Sequence, residues 1–200
     1  MTDYANLNYP NNLPLRLELI RLINLLNANK IHYWVDFATL AKITSNTKYL
    51  NYLSCFDICV FEDSYNQVRE LISNNNFFIW HNSNFTTTIS TPDLIASKKS
   101  SSPEIIIQRM LKWVTIWNYK LLDDGLTSLG IDKDFIYKKE MFLDVQEIEY
   151  CGIKLNIPKN VQQLNNIRYP NTKQVVWCHS PKKRENSEKN FGFCNLGDYK

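Results

Sequence analysis

The residues of this chain best placed to do chemistry lie on two short apolar stretches, Tyr33-Trp34-Val35-Asp36-Phe37-Ala38-Thr39 and Phe56-Asp57-Ile58-Cys59-Val60. Each sets a carboxylate among residues that read as buried strand. An acid there is costly unless something compensates it, so Asp57 in particular needs an explanation. Side chains two residues apart on a strand share a face, so acids at i and i+2 can grip one cation together. Magnesium held that way clamps the negative charge that gathers on phosphate oxygens during phosphoryl transfer. Asp57 occupies the first of two such positions. Cys59 occupies the second, and a thiol is a soft, poor ligand for magnesium. Two readings of Asp57 follow: a metal ligand, or an acid at a strand surface or paired with a lysine. Asp36 is either an acid that touches substrate or one that caps a helix. Cys59 reads as a small buried apolar residue rather than a nucleophile.

The elements that must position these residues are legible from periodicity. Residues 14–29 predict a helix: Pro14 suits its first turn, and Leu15, Leu19, Leu22, Ile23 and Leu26 form one apolar face. Residues 31–37 and 56–61 predict buried strands, with a short helix from about Thr39 to Lys42 and a loop over 44–54 between them. Asp63 or Ser64 is the expected cap of a helix reaching Ser73, with Tyr65, Val68, Leu71 and Ile72 facing inward. Residues 77–81 and 85–90 read as a hairpin around Asn82-Ser83-Asn84. After the polar run Ser100-Ser101-Ser102-Pro103, residues 104–122 predict a long, nearly all-round apolar helix that stops at Asp123-Asp124-Gly125. Trp113 and Trp117 on it read as core rather than as a stacking platform for bases. Residues 142–149 and 153–157 form a second expected hairpin, and Asn160 opens a last helix to Arg168.

Composition sets the outer limits. Two hundred residues with 44% hydrophobic and 13% aromatic content suffice for one domain, expected over 1–179, with a polar, charged tail over 180–200. A net charge of +3, spread along the chain, does not call for nucleic acid. The first residues show no basic and apolar leader pattern, and no apolar run approaches the ~20 residues that span a bilayer. A cytoplasmic, reducing setting is the expectation, which also suits five cysteines without framework spacing. Cys178-His179 with Cys151 and Cys194 fits no common zinc spacing. Pro181-Lys182-Lys183-Arg184 reads as a solvated basic loop, and His32 and His81 as ordinary strand-flanking residues.

A resemblance gives these features a frame. Trp34-Val35-Asp36-Phe37-Ala38-Thr39-Leu40 is similar to the Trp-Leu-Asp-Tyr-Gly-Thr-Leu-Leu-Gly segment of the LicD/fukutin family, and Phe56-Asp57-Ile58-Cys59-Val60 to its next landmark, Asp-x-Asp-Ile. Residues 145–169 resemble the family's closing unit: strand, Gly turn, a strand ending Pro158-Lys159-Asn160, then a helix ending Arg168-Tyr169. That family is a branch of the nucleotidyltransferase fold. Its members move phosphocholine or phosphoribitol from a CDP-linked donor to a glycan. The resemblance implies an α/β (α+β) fold with a small mixed sheet flanked by helices. It implies Asp57 and Asp36 as catalytic acids, Asp57 as the magnesium ligand, and Thr39, Ala38 and Lys42 at the donor. The Gly-Thr turn of the family lets backbone N–H groups approach a phosphate.

The chain departs from this pattern at several points. Cys59 replaces the second Asp, while Cys55 and Phe56 stand where further acids are usual. Ala38 replaces the turn glycine, and Pro170 follows Tyr169 in place of glycine. The later strand that should carry a third acid offers only Thr86, Thr87 and Thr88, and Lys42 and Lys48 stand near the place of an expected arginine. Asp63 would share the face of Asp57 only about 20 Å away, at ~3.3 Å per residue. Two functions are therefore carried forward: a LicD-like transferase, and a catalytically inactive member of the fold kept as a binding or scaffolding module. The first expects another acid, such as Asp93 or Glu104, within ~4 Å of Asp57.

Overall fold

The computed structural model describes residues 13–44, 55–91, 113–129, 132–150, 152–168, 176–177 and 193–194. The first helix, α1 (Leu13–Ala28), leads into β1 (Tyr33–Val35), α2 (Phe37–Thr44), β2 (Cys55–Phe61) and α3 (Glu62–Asn74). A hairpin of β3 (Phe78–Asn82) and β4 (Thr86–Ser90) follows, then β5 (Trp113–Leu121), β6 (Leu126–Leu129) and β7 (Asp132–Lys138). A single turn, α4 (Glu140–Leu143), precedes the hairpin β8 (Val145–Tyr150) and β9 (Ile153–Pro158), and α5 (Val161–Arg168) comes next. Two short strands, β10 (Val176–Trp177) and β11 (Phe193–Cys194), pair with each other.

The main sheet runs β1-β2-β5-β4-β3, with β6 and then β7 added at the C-terminal end of β5. Among the described strands, β2 and β5 pair in parallel and the other pairs are antiparallel. This is the expected α/β class with a small mixed sheet. Alternation divides the faces. Phe56, Ile58 and Val60 point one way, in register with Val114, Ile116 and Asn118. The Tyr65 hydroxyl bonds Thr87, which pairs with Ile116, so α3 covers this face. Helix α1 lies beside α3, where Arg21 donates to the Asn75 carbonyl at 2.6 Å. Leu22, Leu26, Val68, Ile72, Ile58, Val60 and Ile116 are buried in the resulting core.

Three expectations are corrected. Residues 113–121 are the central strand β5, not the end of a helix over 104–122; residues 104–112 lie outside the described residues. The run Trp-Val-Thr-Ile-Trp-Asn-Tyr is buried on both faces, so it carries no period-2 polarity and mimics a core helix. Its β-branched and aromatic content was the discriminating signal. The second correction concerns α3. Asp63 and Ser64 do not cap it; β2 runs straight into the helix with Phe61 at the N-cap position and no side-chain cap bond. Glu62 and Asp63 instead sit in its first turn, where negative charge complements the helix dipole. Phe142, expected in a strand, is in α4. The polar segment from 180 onward lies outside the described residues except for β11.

Candidate functional site

The acids meet on the other face of the sheet. Register places Trp34, Cys59, Trp117 and Thr86 in one cross-strand row, and Asp57, Thr115 and Thr88 in the next. Asp36 follows β1 directly, and its N–H bonds the Asp57 carbonyl at 3.2 Å, so the two acids stand side by side. Cys59, at the position of the missing carboxylate, is thus flanked in register by two tryptophans. Each indole reaches back to an acid. Trp34 Nε1 donates to Asp36 Oδ2 at 3.0 Å, and Trp117 Nε1 donates to Asp57 Oδ1 at 3.0 Å.

Further donors engage both acids. The Tyr119 hydroxyl donates to Asp36 Oδ2 at 3.2 Å, and the Cys59 thiol lies 3.8 Å from the same oxygen. The Phe37 N–H donates to Asp36 Oδ1 at 2.8 Å. Thr39 and Asp57 bond reciprocally. The hydroxyl donates to Asp57 Oδ2 at 3.1 Å and accepts the Asp57 N–H at 2.9 Å. All four carboxylate oxygens therefore accept a hydrogen bond from the protein. Asp36 is fully buried and Asp57 is 4% exposed.

Asp36 also begins α2. Its carbonyl accepts the Leu40 N–H at 3.0 Å, the first bond of that helix. The turn into α2 is strained: Phe37 has φ of 54°, the left-handed region that a bulky residue rarely enters. Its ring packs on Trp117 at 5.4 Å and Tyr119 at 6.5 Å between centroids. An aromatic cluster fills the space beyond. Trp34 stacks on Phe142 of α4 at 4.9 Å and tilts against Tyr119 at 5.2 Å and Phe61 at 4.9 Å. His32 stacks on Phe61 and bonds the Phe142 carbonyl, which is a positioning role for that ring.

The structure thus brings together Asp57, Asp36 and Thr39 of the residues singled out from sequence. The side chains of Ala38 and Lys42 lie outside the described residues, as do Asp93 and Glu104. Asp63 is in α3. Sequence reasoning missed Trp34, Trp117 and Tyr119 as partners of the acids, because two of them lie on the strand read as helix.

A magnesium ion usually keeps several waters and needs oxygen lone pairs directed at it. Here the carboxylates are buried, and the described groups that contact them are N–H and O–H donors, with aromatic rings beyond, none of which is a further ligand for the ion. The described residues around the two acids do not by themselves make up a magnesium ligand set. Among the described residues no group of three or more His, Cys, Asp and Glu is arranged to hold a metal.

No family model and no curated protein matches the chain. Several solved structures are similar to it, and those named here are nucleotidyltransferases. One is the lincosamide antibiotic adenylyltransferase LnuA with lincomycin bound. It is 14% identical, with 74% of this chain and 82% of that chain covered and a TM-score of 0.44. A Thermotoga maritima protein assigned as a nucleotidyltransferase is 13% identical, covering 78% of this chain and 84% of that one, with a TM-score of 0.42. The third is ANT(2")-Ia in complex with adenylyl-2"-tobramycin. It is 7% identical, covering 86% of this chain and 84% of that one, with a TM-score of 0.42. No helix among the described residues is long and apolar enough to cross a membrane.

Proposed function

We propose that this chain is a nucleotidyltransferase-type protein of LicD kind whose metal site has become a structural hub, and that it acts as a binding or scaffolding module without magnesium-dependent phosphotransfer. One observation carries the reading: every carboxylate oxygen of Asp36 and Asp57 accepts a hydrogen bond from inside the protein. A carboxylate has lone pairs enough for both a partner in the fold and a ligand, so what supports the hub reading is that these acids are buried as well as bonded. Asp57 ties β2 to β5 and α2, and Asp36 ties β1 to β5 and α2. The sequence change fits this role. A thiol at 59 is small and uncharged, and leaves room for the indoles on either side to reach the acids; a carboxylate there would lie buried between two rings.

The test is thermal melting with CTP or CDP-choline, with and without magnesium, for the natural chain and Asp57→Asn. Binding to the folded state alone raises Tm. The expected result is no magnesium-dependent rise in Tm with either nucleotide, and a lower Tm for Asp57→Asn, whose amide NH2 must face a donor. A rise that needs both metal and nucleotide, and that Asp57→Asn abolishes, would overturn the proposal.

One observation favours the competing reading, a transferase moving a phospho-alcohol of phosphocholine or phosphoribitol type from a CDP-linked donor to a glycan. Phe37 holds a strained backbone directly after Asp36, and strain of about 1–3 kcal/mol is commonly kept where function requires it. In the hub reading the same strain is offset locally, by the Phe37 N–H bond to Asp36 and by ring packing on Trp117.

A further inference from the structure

Three oxidisable groups meet at one oxygen, Asp36 Oδ2. The Tyr119 hydroxyl donates to it at 3.2 Å and the Trp34 indole N–H at 3.0 Å, and the Cys59 thiol lies 3.8 Å away. A buried carboxylate needs donors, but a serine, an asparagine or a backbone N–H would serve it as well. Phenol, indole and thiol are instead the side chains that most readily give up a single electron. Each becomes a neutral radical only if its proton leaves too, and a carboxylate within hydrogen-bond reach is the base that takes it. Tyr119, Trp34, Cys59 and Asp36 are all fully buried. A radical on Tyr119 is therefore shielded from solvent and from other chains, and a proton passed to Asp36 stays beside it. The Tyr119 ring packs on Trp34 at 5.2 Å and Phe142 at 5.1 Å between centroids. Toward the surface, the partly exposed Trp117 shares its strand face, two residues and about 7 Å away.

We propose that Tyr119 and Asp36 form a reversible one-electron redox site with Trp117 as its port. An oxidant of the carbonate-radical class takes one electron from Trp117 and is itself reduced by one electron. Tyr119 returns that electron to the indole. In the same step its phenolic O–H breaks and the proton moves to Asp36 Oδ2. The products are a neutral Tyr119 phenoxyl radical and a neutral Asp36, joined by the proton that moved. A one-electron reductant such as ascorbate reverses the step: the electron enters the phenoxyl oxygen and Asp36 gives its proton back. A site built this way absorbs oxidising equivalents without covalent damage to the chain. The inference goes beyond the function proposed above and needs no ligand at the carboxylates.

The test is flash oxidation of the full chain by photogenerated tris(bipyridyl)ruthenium(III), followed by freezing and electron paramagnetic resonance. The natural chain is expected to give a neutral tyrosyl signal. That signal should be lost in Tyr119→Phe, although the rest of the chain's 11 tyrosines remain. Ascorbate should erase it, and repeated flashes should restore it without dityrosine fluorescence. A tyrosyl signal that survives in Tyr119→Phe overturns the proposal, as does an indole signal alone in the natural chain or a build-up of dityrosine. A second measurement holds even where Tyr119→Phe fails to fold. Electron-nuclear double resonance of the natural chain should show one proton bonded to the radical that D2O, mixed in just before the flash, does not replace. Its immediate replacement by deuterium would place the radical at the surface and overturn the proposal.

Discussion

Asp57 shows why residue type alone does not define a site. A buried acid is expensive, and the expense is offset either by a ligand or by the fold. Here Trp117 and Thr39 supply the offset. Removing one of these donors should leave a buried acceptor without its partner, which costs more than the bond itself contributes. Trp117→Phe keeps most of the ring and deletes the Nε1–H. It is expected to lower unfolding free energy by about 1–3 kcal/mol in denaturant titration. Thr39→Val, which deletes both halves of a reciprocal pair, should cost at least as much. An unchanged midpoint in Trp117→Phe would show that the indole N–H is not what satisfies Asp57 Oδ1.

At the scale of elements, α3 is held to the sheet by more than apolar contact. The Tyr65 hydroxyl donates to the Ser83 carbonyl and bonds the Thr87 hydroxyl, each at 3.0 Å, and so pins the helix to the β3–β4 turn. Burial holds the Tyr65 phenol above its ordinary value of 10.0, and Tyr33 is raised by burial in the same way. The sign follows from linkage. A folded-state pKa above the unfolded value means the native state binds the proton more tightly, so the stabilisation is complete below the unfolded pKa. It is lost as pH rises through the folded one. Stability should therefore be level with respect to these groups up to about pH 10 and decline above it. Tyrosinate absorbance followed alongside circular dichroism checks this. Tyr65→Phe should reduce the alkaline decline, because one of the two raised phenols is then gone.

The molecule as a whole is organised around β2 and β5. These parallel strands form the middle of the seven-stranded sheet and carry residues that are fully buried, among them Ile58, Val60, Val114 and Ile116. The β8–β9 hairpin is a separate two-stranded sheet with an exposed face bearing Glu147 and Lys154, joined by a solvent-exposed ion pair at 2.9 Å. Such a pair adds little stability. Native-state hydrogen exchange should reflect the difference. Amides of residues 56–60 and 114–118 are expected to exchange only through global unfolding, and those facing outward on β8 at lower free energy. Slowest exchange in β8–β9 would place the stability centre elsewhere.

The sequence by itself determined the elements whose pattern is local. The apolar face of α1, the α3 stripe of Tyr65, Val68 and Ile72, and both hairpins with their turns were readable because periodicity and turn chemistry are properties of neighbours in the chain. It also determined that Asp57 and Asp36 were the acids needing an explanation. Tertiary structure decided what they touch. Strand β5 could not be recognised from alternation, since a strand buried on both faces shows none, and with it went the register that sets Trp117 beside Cys59 and Tyr119 near Asp36. Trp117 reaches Asp57 from 60 residues away and Tyr119 reaches Asp36 from 83. That proximity is created by strand pairing, so no inspection of either segment alone discloses it.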